Sequence, residues 1–130
     1  VEETTKPVVL IVEDNKDVRD YIKLQLSDTY SIIEAVNGKE GVALAIKYVP
    51  DVVVSDVMMP IMNGYDATRA IRVLERNDAI TVPIIAMTGK TFADEIKEAM
   101  DCGMNSYINK PVDFEKLVKT IGKYYNPANK

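Results

Sequence analysis

Five short, apolar, largely β-branched runs alternate along this chain with segments whose apolar residues recur at helical spacing, and that alternation constrains the fold more than any other feature. Val8-Val9-Leu10-Ile11-Val12 is continuous, short and preceded by Pro7, as expected of a strand buried on both faces. A helix is expected over Lys16–Leu26, capped by Asn15, with Val18, Tyr21, Ile22 and Gln25 on one side. Ser31–Val36 reads as the second strand. Asn37-Gly38-Lys39-Glu40 has the cap-x-x-Glu spacing of a helix start, which Val42, Ala45, Ile46 and Val49 continue and Pro50 stops. The third strand, Val52–Asp56, ends in a carboxylate. A loop with Pro60 and Gly64 leads to a helix over Tyr65–Glu75. Val82–Thr88 is the fourth strand, with Pro83 near its start, where a missing N–H is tolerated. Thr91 with Asp94 opens a fourth helix that Gly103 ends. Tyr107 and Ile108 fall in a short fifth strand. Phe114, Leu117, Val118, Ile121 and Tyr125 mark a closing helix, ended by Pro127.

Strands alternating with helices in this way form an α/β fold, a doubly wound (βα)5 parallel sheet covered on both faces. The 130 residues suit one domain over 1–130, with a core of about 8–125 and frayed tails at Val1–Lys6 and Asn126–Lys130. Periodicity does not fix the order of the strands. Composition removes competing classes. No apolar run approaches the ~20 residues of a membrane helix, and no signal-peptide pattern opens the chain, so no membrane contact is expected. A net charge of -4 repels phosphate backbones, so nucleic acid is not an expected partner. Cys102 has no second cysteine to pair with, which fits the cytoplasm, and its place near a helix end suits packing rather than reactivity. Val at position 1 fits a piece of a longer protein. The chain has no histidine, which excludes a serine–histidine nucleophile pair, a His-rich metal site and a phosphohistidine donor within it. Its chemistry must rest on carboxylates, hydroxyls and lysines.

Doubly wound sheets place their site at the carboxyl ends of the strands. Those ends carry Glu13 and Asp14 after the first strand, Asp56 after the third, Thr88 after the fourth and Lys110 after the fifth. Each alone has an ordinary reading: a solvated acidic turn, turn chemistry at Thr88-Gly89, a surface lysine. Brought to one edge, three carboxylates repel one another unless a cation sits among them. An all-oxygen set favours a hard ion, Mg²⁺ before Ca²⁺. Carboxylates, metal, lysine and hydroxyl together can hold a phosphoryl group.

Four stretches carry a family resemblance: Val9 to Asn15 (VLIVEDN), Asp56 to Gly64 (DVMMPIMNG), Met87-Thr88-Gly89, and Tyr107-Ile108-Asn109-Lys110-Pro111. With them the chain resembles the receiver domain of two-component response regulators and hybrid sensor kinases, over essentially Val8 to Tyr125. The resemblance implies a flavodoxin-like sheet in the order 2-1-3-4-5. It implies that Asp56 is the phosphoacceptor and Lys110 the phosphoryl-binding lysine, that Thr88 and Tyr107 form the switch pair, and that Lys110-Pro111 is cis. Magnesium is expected on Asp14, Asp56 and the Met58 backbone carbonyl, with Glu13, where many relatives have Asp, reaching it through a water. Gly89, where alanine is common, is expected to soften the coupling between Thr88 and Tyr107.

The implied function is a magnesium-dependent phosphoacceptor rather than an enzyme with turnover. Its donor would be a histidine kinase or histidine phosphotransfer domain, and its output a partner domain or a homodimer met through the last two βα units. The stretches around Thr88 and Tyr107 look more like receivers attached to hybrid kinases. Three other readings compete. An FMN binder needs a phosphate-cradling loop where this chain has Glu13-Asp14-Asn15-Lys16-Asp17. An aspartyl phosphatase needs an acid two residues beyond the nucleophile, where Met58 stands. A phosphorylation-independent interaction module has no need of Asp14, Asp56, Thr88 and Lys110 together. Met58 and Lys90 are expected to obstruct water at the phosphoaspartate, and Lys116, Lys119 and Lys123 form a solvated helix face or a partner surface.

Overall fold

The computed structural model of the protein describes residues 6–89 and 93–125, with the backbone alone at 93 and 94. Thr91, Lys90, Pro127 and all but Lys6 of the expected tails lie outside the described residues. Lys6 itself donates from Nζ to the Ser27 carbonyl at 3.0 Å, so it is held.

The strands are β1 (Val8–Val12), β2 (Ser31–Ala35), β3 (Val52–Asp56), β4 (Ile84–Thr88) and β5 (Ser106–Asn109). They form one parallel sheet in the order β2-β1-β3-β4-β5, the flavodoxin-like order that the resemblance implied. Every residue of β3 and β4 is buried, which is why both read as near-continuous apolar runs. One face packs Leu10, Val53, Ile84 and Ala86 against Tyr65, Ile71 and Ala99. The other packs Ile11, Val54, Ile85 and Met87 against Ile22, Leu26, Leu117 and Ile121.

Helices α1 (Lys16–Leu26), α2 (Gly38–Tyr48), α3 (Gly64–Arg72), α4 (Asn77–Thr81), α5 (Ala93–Asp101) and α6 (Phe114–Tyr124) connect the strands. Among the described residues, four begin on a side-chain cap that satisfies a backbone N–H the helix cannot: Asn15 accepts from Val18, Asn37 from Glu40, Asn63 from Asp66, and Asp113 from Glu115 and Lys116.

Several sequence expectations are corrected. The helix read as Tyr65–Glu75 runs Gly64–Arg72, and a separate five-residue α4 follows it before β4. The chain turns there because the Arg72 guanidinium collects the carbonyls of Ala79, Ile80 and Gly103. β4 starts at Ile84 rather than Val82, and β2 stops at Ala35 rather than Val36. Helical spacing also overcounted the buried stripe. Tyr21, Ile46, Val49 and Val118 are exposed, while Leu26 and Gly41 face inward. Val49 ends α2 in the left-handed region, at φ 48°.

Candidate functional site

Sheet register brings the expected residues to one edge. Val12 pairs with Ser55, Asp56 with Met87, and Thr88 with Asn109. The residues one step beyond β1 and β5, Glu13 and Lys110, therefore flank Asp56 from opposite sides. The Lys110 N–H donates to the Thr88 carbonyl at 2.8 Å, which fixes the turn after β5, and the Lys110–Pro111 bond is cis.

Glu13 is fully buried and Asp56 nearly so, whereas Asp14 is exposed. The Lys110 ammonium lies 2.8 Å from Glu13 Oε1 and 3.1 Å from Asp56 Oδ2. Glu13 Oε2 accepts the Asn15 N–H at 3.0 Å. Burial pushes the Glu13 carboxyl up from its ordinary value against the pull of Lys110 and Asn15, and the charge of Asp56 pushes the same way. Burial works to lower the Lys110 ammonium, but its hydrogen bond to Glu13 and the charge of Asp56 outweigh this and hold it raised. The lysine is thus shared between two carboxylates.

One oxygen from each of Glu13, Asp14 and Asp56 lies within 4.8 Å of the other two. Like charges at ~4 Å repel by about 4 kcal/mol even at an effective dielectric of 20. Three carboxylates facing one ammonium leave two negative charges over, and the donors are all oxygen. This set fits a hard divalent cation.

Beside the carboxylates opens a cleft of about 560 Å³ lined by Asp56, Met58, Tyr65, Thr88, Glu95 and Lys110. Thr88 is buried on the wall. Met58 lines the cleft and is largely exposed. A Cβ on Gly89 would meet open space, so nothing steric demands glycine there. Tyr107 is 39% exposed and lies on the far side of β5, in a groove with Lys116, Lys119 and Lys123. The loop from Asp56 to α3 is cinched tightly. A Cβ on Gly64 would stand 2.3 Å from the Asp56 carbonyl oxygen, and the Gly64 N–H donates to Val57.

Sequence reading missed several contributors. Arg19 donates to the Glu13 carbonyl at 2.8 Å and is itself paired with Glu34, so it braces the acidic turn from α1. Tyr65 donates to the Glu95 carbonyl at 3.3 Å and Arg69 pairs with Glu98, tying α3 to α5. An arginine one helical turn into α1 was the available signal. The α3–α5 ties have none, because they depend on where two distant helices lie.

The parallel sheet in the order β2-β1-β3-β4-β5, with a buried aspartate ending its central strand and a lysine from the edge strand facing it, makes this a doubly wound α/β domain with a charged site at its strand ends. The chain matches the response regulator receiver domain over residues 9–122 and belongs to that family. Protein PilH of Pseudomonas aeruginosa is 37% identical over 87% of this chain and 93% of its own length. The receiver domain of the Pseudomonas aeruginosa sensor histidine kinase PA1611, with a magnesium ion coordinated in its active-site cleft, superposes with a TM-score of 0.84 at 29% identity, covering 92% of this chain and 98% of the other. The Saccharomyces cerevisiae Ssk1 receiver domain, crystallised with the phosphotransfer protein Ypd1, superposes with a TM-score of 0.85 at 29% identity, covering 92% of this chain and 88% of that one. Against longer relatives the match is partial: the chain spans only 7% of the hybrid signal transduction histidine kinase D of Dictyostelium discoideum, at 34% identity. It is a receiver domain of two-component signalling. No described helix is long and apolar enough to cross a membrane.

Proposed function

We propose that Asp56 is the phosphoacceptor and that the domain takes its phosphoryl group from a phosphohistidine on a kinase or phosphotransfer partner. The observation that carries this is the Glu13–Lys110–Asp56 arrangement: a nearly buried carboxylate, opening on a cleft, with its only described cation shared with a second acid. An Asp56 oxygen attacks phosphorus as the phosphorus–nitrogen bond breaks; the phosphohistidine ring, already protonated on its other nitrogen, keeps the bonding electron pair and leaves as neutral imidazole. Lys110 meets the charge spread over the phosphoryl oxygens. Magnesium on Asp14, Asp56 and the Met58 carbonyl, with Glu13 through a water, would supply the charge neutralisation that lets two anions meet there. The acyl phosphate then offers an oxygen to the Thr88 hydroxyl, which draws the following loop inward and favours an inward Tyr107.

The donor's approach is supported by a largely apolar groove lined by Val18, Tyr21, Pro111 and Val112, which runs up to Lys110. A histidine-bearing partner laid there would present its ring beside Asp56; that the similar Ssk1 receiver crystallises with a phosphotransfer protein supports such a partner. Output through the β5–α6 face, by a partner domain or a second copy, is supported by the groove of Tyr107, Lys116, Lys119 and Lys123. We assign the domain to the cytoplasm, where its buried Cys102 stays a thiol.

Incubation with acetyl phosphate and Mg²⁺ is expected to add one hydroxylamine-labile phosphoryl group, and Asp56→Asn to abolish it while keeping the fold. Undiminished labelling of the variant overturns the assignment.

A further inference from the structure

We infer that Gly38, on a different βα unit from the phosphoacceptor, is a positioning residue for the loop that carries the Met58 carbonyl. The inference rests on the reading of Asp56, Asp14 and that carbonyl as the cation site.

Gly38 is the first residue of α2, and its N–H donates to the Met62 carbonyl at 3.0 Å. A Cβ at this position would stand 2.3 Å from the Met62 oxygen, 2.9 Å from its carbonyl carbon and 3.0 Å from its Cγ. The first two are backbone atoms, so no rotamer change relieves the clash. Either the loop or the helix must give by several tenths of an ångström.

The loop has little slack to absorb this. Met62 N–H closes a tight turn on the Pro60 carbonyl at 2.8 Å, with Ile61 at φ 73°. A β-branched residue in that region is strained and stays there only where its surroundings hold it. At the other end the Gly64 N–H grips Val57, and Gly64 lies against the Asp56 carbonyl. Between these two clamps lie Met58 and Met59. Pressure on Met62 is therefore passed along the turn toward Met58 and Asp56. The helix side is also fixed, because Asn37 caps α2 through the Glu40 N–H at 2.8 Å, and Glu40 Oε1 returns to the Val36 N–H at 2.8 Å. These two bonds, on either side of the cap, set where Gly38 stands.

The test compares wild type, Gly38→Ala, Asn37→Ala and Leu117→Ala. Leu117 lies in the core on the opposite sheet face, so its truncation destabilises without touching the loop. Mg²⁺ affinity by calorimetry, backbone amide shifts of Met58 to Asn63 without metal, and the acetyl phosphate labelling rate are measured under conditions where each variant is folded. Gly38→Ala is expected to weaken Mg²⁺ at least tenfold and to shift the loop amides before any metal is added. Asn37→Ala adds no clash and keeps the test informative if Gly38→Ala does not fold; it is expected to weaken Mg²⁺ about threefold. Leu117→Ala should leave the affinity within twofold. Wild-type binding with unaltered affinity in whichever of the two α2 variants folds overturns the role of Gly38 alone. Wild type that neither binds Mg²⁺ nor labels overturns the cation-site reading beneath it.

Discussion

Arg72 and Lys110 are both cations drawn partly into the body of the protein, and their surroundings differ in kind. Arg72 spends its guanidinium on neutral acceptors: the carbonyls of Gly103, Ala79 and Ile80 and the Asn105 side-chain oxygen, at 2.8–3.2 Å. No carboxylate among the described residues pairs with it, and burial lowers its pKa. All but the Asn105 oxygen are backbone carbonyls, held in place by the fold, so the guanidinium is satisfied within it. Lys110 faces Glu13 and Asp56, with Asp14 beside them. One ammonium there is set against more negative charge than it can neutralise. The first cation closes a structure, and the second leaves an electrostatic demand that an incoming ion and phosphoryl group can meet. A satisfied buried charge holds a fold together; an unsatisfied one is where chemistry happens.

Removing each cation should separate these roles. Arg72→Ala leaves three backbone carbonyls short of a partner and is expected to cost about 3 kcal/mol by urea unfolding. The labelling rate of the folded variant should stay within about twofold. A comparable loss of rate would mean that Arg72 also acts on the site. Lys110→Met should behave in the opposite way, with labelling down about 100-fold and a smaller stability loss of about 2 kcal/mol near neutrality. That loss has a predictable pH dependence. The folded Glu13 pKa is already raised, and removing Lys110 raises it further. A raised acid costs stability above its folded pKa and costs nothing below its unfolded value. The deficit of Lys110→Met should therefore shrink as pH falls from neutrality toward about 4. A pH-independent deficit would place its cause in lost packing instead.

Glu13→Gln sharpens the comparison with the smallest effect. Since burial holds the Glu13 carboxyl raised, its ionised form is carried at a cost at neutral pH, and the amide should stabilise the metal-free fold by about 1 kcal/mol there. The gain should vanish below about pH 4, where glutamate is protonated in both states. Mg²⁺ affinity should fall only a few-fold, less than in Asp14→Ala, because Asp14 is the exposed acid able to ligate directly. Equal losses in the two variants would make Glu13 a direct ligand as well.

Much of this was legible from the residues. Strands buried on both faces announce themselves as unbroken runs such as Val52-Val53-Val54, and Asn15, Asn37 and Asn63 mark helix starts through chemistry local to four residues. Reading off the strand ends found Glu13, Asp14, Asp56, Thr88 and Lys110. Their relations were not legible. That Glu13 is fully buried and paired with Lys110 depends on β1 and β5 lying on opposite sides of β3 and β4, which periodicity cannot say and only the family resemblance supplied. The short α4 escaped because five residues span barely more than one turn, and its cap makes no side-chain hydrogen bond. Tyr21 and Ile46 misled because a period of 3.6 marks a face without saying how wide the buried stripe is. Gly38 was read as part of a helix start; its neighbour Met62 is twenty-four residues away in sequence.

The strand order also sets a timetable for assembly. β1 lies between β2 and β3, so on a ribosome, which delivers the chain from its N-terminus, residues up to Asp56 contain a complete three-stranded unit before β4 exists. β4 and then β5 can only be added to one growing edge, in the order in which they emerge. Every pairing spans a crossover, the slow kind of contact to close. Any β1–β3 pairing formed before β5 docks sets Glu13 beside Asp56 without Lys110. Until the last strand docks, those two acids must stay hydrated, protonated or screened by ions, and the arrival of β5 both completes the sheet and delivers the cation that lets the carboxylates be buried.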